Sequence, residues 1–203
     1  MSDTNIEQPE WDCFKFYGLE ASCESGFPED DCIRVLIAEK TTEEYEPFGL
    51  TVSDLMIWFV RNNLRIGAMH VQAVHLCRET VGMEAIVKAG TVSQTAYDGM
   101  EEIVAGRDGE VFDAGTYLII NNFEIERSVR GKGYGIGSVD ALCGEIETPE
   151  TELNELLADT QVILLRPFSD INLIDEDFAA YLLARLQDAI GDPECILLSS
   201  VPE

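Results

Sequence analysis

The stretch that most constrains this chain runs from Tyr117 to Ile146. The strand-like run Tyr117-Leu118-Ile119-Ile120-Asn121-Asn122-Phe123-Glu124-Ile125-Glu126 leads into Val129-Arg130-Gly131-Lys132-Gly133-Tyr134-Gly135-Ile136-Gly137-Ser138. A helical pattern follows, with Ile136, Val139, Leu142, Cys143 and Ile146 at helical spacing. A strand ending in a glycine-rich turn that opens a helix is a local architecture for holding a phosphate. Unhindered backbone N–H groups converge there, and the helix N-terminus adds partial positive charge. The charge distribution agrees. The chain has a formal net charge of −26, yet three of its 13 basic residues, Arg127, Arg130 and Lys132, lie within six positions. An acidic protein that gathers its few cations on a glycine loop has an anion to hold.

The spacing narrows the choice of anion. No Lys-Ser or Lys-Thr follows these glycines, so the Walker A loop GxxxxGK[ST] is absent. The dinucleotide fingerprint GxGxxG fails as well, because Ile136 and Ser138 stand where its last glycine would fall. The pattern that fits is R/Q-x-x-G-x-G/A, read as Arg130-Gly131-Lys132-Gly133-Tyr134-Gly135. In this loop the chain resembles the GNAT superfamily of N-acetyltransferases, whose acyl-CoA pyrophosphate loop has that form. Phe123 and Ile125 stand seven and five residues before Arg130, as the family's upstream pattern has it. Gln161-Val162-Ile163-Leu164-Leu165-Arg166-Pro167 looks like the family's next strand. The resemblance covers residues 115–190 well and the first 110 poorly.

The resemblance implies an α/β fold: a mixed central sheet with helices on both faces and two parallel central strands, 116–126 and 161–166, that splay apart. It implies acetyl-CoA as cofactor, with its pyrophosphate on the backbone of Gly131, Gly133, Tyr134 and Gly135. Val129, Arg130, Lys132, Ile136 and Gly137 would complete the loop, and the backbone at Phe123 and Ile125 would bond the pantetheine arm. The family's general base is commonly a carboxylate nine residues before the loop arginine, but Asn121 occupies that position here. Glu124, at the edge of an apolar cleft, could act as base directly or through water. Tyr181 lies on the helix where the family carries its general acid, although the Tyr-x-x-x-Gly-Phe ending is missing.

At 203 residues one domain, 1–203, is expected, with a loosely ordered lead-in over 1–30. No run of about 18 apolar residues exists, and no basic-then-apolar leader opens the chain, so a cytoplasmic protein without membrane contact is expected. The six cysteines form no CxxC pair and the two histidines, His70 and His75, offer no zinc constellation. Five apart, they suit neither one helix face nor one strand face, and neither receives a role. The excess of acids is heaviest in 1–50 and 151–203, which spares the glycine loop. No basic stripe exists for nucleic acid.

Elsewhere the pattern predicts a strand over 32–38. A helix opens at Thr51-Val52-Ser53-Asp54, with Val52, Leu55, Met56, Phe59 and Val60 as its apolar stripe. Residues 66–92 allow strand or helix, and strands around 69–77 and 84–90 are expected. Ser93 caps a helix over 94–105. A helix from about 175 buries Phe178, Leu182, Leu186 and Ile190, and a last strand covers 195–198.

Together these readings give an acetyl-CoA-dependent N-acetyltransferase acting on a small-molecule or protein amine, compatible with a homodimer. The alternative is an inactive GNAT-fold binding protein that docks a basic partner through its acidic surface.

Overall fold

The computed structural model describes residues 15–19, 32–45, 49–106, 111–149, 151–166 and 176–198. The lead-in assigned to 1–30 lies outside the described residues, except for the first strand. In chain order the strands are Lys15–Leu19 (β1), Arg34–Tyr45 (β2), Leu50–Arg61 (β3), Leu64–Leu76 (β4), Thr80–Val81 (β5), Val111–Phe112 (β6), Gly115–Ile125 (β7), Thr160–Leu165 (β8) and Glu194–Leu197 (β9). The helices are Gly82–Val92 (α1), Gln94–Gly106 (α2), Tyr134–Glu147 (α3), Glu152–Leu157 (α4) and Glu176–Ile190 (α5). Seven strands form one mixed sheet in the order β1-β2-β3-β4-β7-β8-β9, and β5 and β6 make a separate ribbon. The pairs from β1 to β7 are antiparallel, whereas β7–β8 and β8–β9 are parallel. The parallel half is what alternating strands and helices require.

The sheet separates two apolar layers. Ile37, Ile57, Phe59, Phe123 and Ile163 pack with α3, α4 and α5 on one face. Val52, Val74, Tyr117, Ile119 and Leu164 pack with α1 and α2 on the other. Helices therefore cover both faces of a mixed sheet, and the class is α/β.

Two expectations are corrected. Residues 50–61 are a strand, not a helix. β3 is central, so apolar side chains serve both layers and their period of two is obscured. Val52 faces one layer while Leu55, Ile57 and Phe59 face the other, and all four are buried. The sequence signal for this strand was the turn after it. Asn62 and Asn63 both have positive φ, 52° and 60°, which is the two-residue hairpin turn that matches strand twist. Residues 84–90 belong to a helix, not a strand. Ala85, Ile86 and Ala89 form its buried stripe, and Glu84 holds Lys88 across one turn at 2.6 Å.

Other elements follow the pattern. Ser93 Oγ accepts from the Ala96 N–H at 3.4 Å and caps α2. On α5, Leu182 and Leu186 are buried while Phe178 and Ile190 are only half-buried. On α3, Ile136 leaves the expected stripe and stands exposed in the first turn, beside the loop.

The feature that shapes the site is a bulge in β7. Val71 of β4 faces Ile120, but His70 faces Asn122, so Asn121 is an extra residue in the ladder. Opposite the end of β7, Gly67 makes room for it. A Cβ at Gly67 would stand 2.6 Å from the Glu124 carbonyl oxygen and 2.7 Å from Ile125 Cδ1. Gly67→Ala should therefore lose about 1–3 kcal/mol, the usual cost of overpacking. Urea unfolding should register it as a lower midpoint at unchanged slope.

Candidate functional site

β7 and β8 pair from Thr116 and Thr160 to Ile120 and Leu165, and Arg166 N still donates to Ile120 O at 3.2 Å. From Asn121 onward, β7 continues to Ile125 paired only with β4 among the described residues. Main-chain groups alternate along a strand, and one side is fixed by an observed bond: Glu126 N donates to Ile66 O at 2.8 Å. Ile125 and Phe123 therefore turn their N–H and C=O groups away from β4, toward a side where no described strand pairs with them. Arg130 reaches across that side, with Nε donating to Ile125 O at 2.7 Å. These are the main-chain positions to which the resemblance assigned a pantetheine arm.

Beyond β7, Arg127–Val129 form one 3₁₀ turn, followed by the glycine loop. Gly131 and Gly133 adopt positive φ, 73° and 80°. A Cβ at either would meet nothing within 4 Å, so backbone conformation and not crowding calls for glycine there. Gly133 is the N-cap of α3, and the first helical bond runs from Gly137 N to Gly133 O at 3.1 Å. The N–H groups of Tyr134, Gly135 and Ile136 precede that bond and open onto the loop, where the helix dipole favours an anion. Lys132 Nζ donates to Ser128 O at 3.4 Å and stays exposed.

The loop is anchored from below. Gly135 sits against Phe178, whose ring lies 5.2 Å from Phe123, itself 5.7 Å from Phe59. Such aromatic pairs contribute about 0.5–1.5 kcal/mol each beyond their burial. Arg61 of β3 donates to the Tyr134 hydroxyl, with its guanidinium carbon 4.7 Å from that ring's centroid.

The three side chains expected to carry chemistry are not brought together. Phe123 and Ile125 pack toward α3 and α5, so Glu124 between them faces the α1–α2 side. Asn121 faces that side too: its Oδ1 accepts from Arg166 at 3.4 Å, and Arg166 Nε donates to Glu102 of α2 at 2.7 Å. Tyr181 is on the opposite face, tying α5 to α3 by donating to Asp140 Oδ1 at 2.6 Å. Arg185 donates to the same oxygen at 3.2 Å. Burial, and then the Asp140 carboxylate, push the Tyr181 phenol up to about 12.

Sequence reasoning missed a polar strip beside Asn121 and Glu124. His70 Nε2 lies 3.5 Å from Asp54 Oδ1, and Gln72 Nε2 donates to that oxygen at 2.8 Å and to Ser93 Oγ at 3.2 Å. The available signal was the alternation of His70 and Gln72 within an apolar strand. His75, five residues on, faces the other layer, where a recess of about 190 Å³ also borders Ser53, Thr116 and Asp159. That recess is at the end of the sheet away from the loop. Among the described residues no cluster of three or more His, Cys, Asp or Glu could hold a metal ion, and no helix is long and apolar enough to cross a membrane. No family model matches the chain, and neither does any curated protein or solved structure.

The Tyr181 bond sets a pH dependence. The folded state retains this proton where the unfolded chain, with an ordinary value of 10.0, has lost it. Its stabilisation is complete below that ordinary value and is lost as pH rises toward about 12. Denaturant titrations should show native protein losing stability over that interval more steeply than Tyr181→Phe.

Proposed function

We propose that this chain is an N-acetyltransferase of the GNAT type, moving an acetyl group from acetyl-CoA to an amine. One observation carries the reading. Two left-handed glycines deliver the chain into the α3 N-terminus, next to a strand that turns the main-chain groups of Phe123 and Ile125 to a side where no described strand pairs with them. The first part suits a pyrophosphate and the second an amide-bearing arm, in the order and spacing that acyl-CoA needs. Arg130 then does two things: it braces the end of β7 and adds positive charge next to the loop.

On this reading the acetyl group lies at the bulge, and the amine arrives from the α1–α2 face. Glu124 fronts that approach. Its carboxylate would draw a cationic amine, and the gap would hold the thioester carbonyl for attack. Tyr181, bonded to Asp140 on the other face, is left with a structural part.

The second reading is a GNAT-fold protein that binds without catalysis. It is favoured by the engagement of Asn121 with Arg166 and of Tyr181 with Asp140. Two measurements separate the readings. Calorimetry should detect acetyl-CoA binding to native protein and a loss of about tenfold or more, at least 1.4 kcal/mol, in Gly133→Glu, which adds charge and a Cβ at positive φ. No binding by native protein would overturn both the loop assignment and the transferase. In steady-state assays of CoA release, Glu124→Gln should raise KM for a cationic amine such as spermidine and leave acetyl-CoA affinity unchanged. Acetyl-CoA binding without CoA release from any amine would favour the binding protein.

A further inference from the structure

We propose that His70, oriented by Asp54, is the proton acceptor for the attacking amine. The inference rests on the transferase reading and adds to it the catalytic group that Asn121 cannot supply. His70 is directly opposite Asn122 in the β4–β7 ladder, one position from the bulge where β7 leaves β8. It shares the α1–α2 face with Asn121 and Glu124 and is 31% exposed.

One carboxylate lies beside the ring. Nε2 lies 3.5 Å from Asp54 Oδ1 on β3. Asp54 is itself fixed by the Gln72 amide, which Ser93 Oγ anchors at the start of α2. On the proposal, a carboxylate facing Nε2 favours the tautomer with its proton there and leaves the Nδ1 lone pair for chemistry. Among the described residues, charged groups on this face also include Glu124 on β7 and the Arg166–Glu102 pair from the end of β8 and α2, and Lys40 of β2 stands opposite Asp54 in the ladder. Glu124 faces Ala68, two residues from His70 on β4, and adds further negative charge near the ring.

The step balances. The amine nitrogen attacks the thioester carbon, the N–C bond forms and the C–S bond breaks. The ammonium first loses one proton to solvent, a second passes to Nδ1 as the neutral amine attacks, and the departing thiolate takes a proton from the imidazolium or from solvent. The products are the acetamide and free CoA.

The test uses the full chain, acetyl-CoA and spermidine or another primary amine that supports CoA release. His70→Ala should lower kcat by about 10²–10⁴-fold, the usual contribution of a general base. It should leave acetyl-CoA affinity by calorimetry unchanged, and added imidazole should restore part of the rate. Asp54→Asn should give an intermediate loss and shift the acid limb of the pH–rate profile, and His75→Gln should behave as native. Full activity in His70→Ala, or a loss that imidazole does not relieve, would overturn the role of His70 and leave the transferase standing. A native chain that binds acetyl-CoA but releases CoA with no amine would overturn it too. Failure of native protein to bind acetyl-CoA would instead remove the reading on which it rests.

Discussion

The structure depends on one extra residue. With Asn121 outside the ladder, β7 changes phase between its two halves. Before the bulge, even-numbered residues such as Leu118 and Ile120 fill the α3–α5 layer, and after it Phe123 and Ile125 do. Had Asn121 kept a regular place, Asn122 and Glu124 would point into the layer of Phe59 and Phe178, while Phe123 would face the polar strip. Burying a carboxylate and an amide without partners costs several kcal/mol, so the apolar demand of that layer enforces the bulge. The same change of phase turns the main chain of Phe123 and Ile125 away from β4. Packing and the candidate site are thus one constraint.

Around this point the two faces divide their work. The α3–α5 face is apolar below the loop and holds α3 in position through Phe178, Phe123 and the Tyr181–Asp140 bond. Among the described residues, the α1–α2 face carries Asn121, Glu124, His70, Asp54 and Arg166 at this end of the sheet. An anion held at the α3 N-terminus and an amine approaching from the other face would meet at the bulge. That arrangement is chemically sensible because the first needs main-chain donors and the second needs proton acceptors.

The second half of the fold was legible because its elements each serve one layer or alternate with helices. The glycine loop, α3, β8, α5 and β9 follow from spacing and from Gly and Pro punctuation. β3 was misread because Val52, Leu55, Met56, Phe59 and Val60 mimic a helical stripe when a strand is buried on both faces, and the Asn62-Asn63 turn carried the correcting signal. The short helix α4, capped by Thr151 Oγ1 accepting from Asn154 N at 3.0 Å, went unread. The left-handed glycine loop and the start of α3 were readable because glycine spacing announces that backbone geometry, whereas the positions at Phe123 and Ile125 came from the resemblance. His70, Asp54, Gln72 and Arg166 were not readable, since their meeting depends on β3, β4, β7 and β8 lying side by side in a register no local pattern encodes.

The account turns on where acetyl-CoA makes contact, and amide-resolved NMR during a titration with acetyl-CoA addresses that directly. The N–H resonances of Gly131, Gly133, Tyr134, Gly135 and Ile136 should move together, joined by those of Phe123 and Ile125, with one common saturation curve. Movement confined to residues around the Ser53–His75 recess, or no movement at 131–136 at saturating ligand, would contradict it.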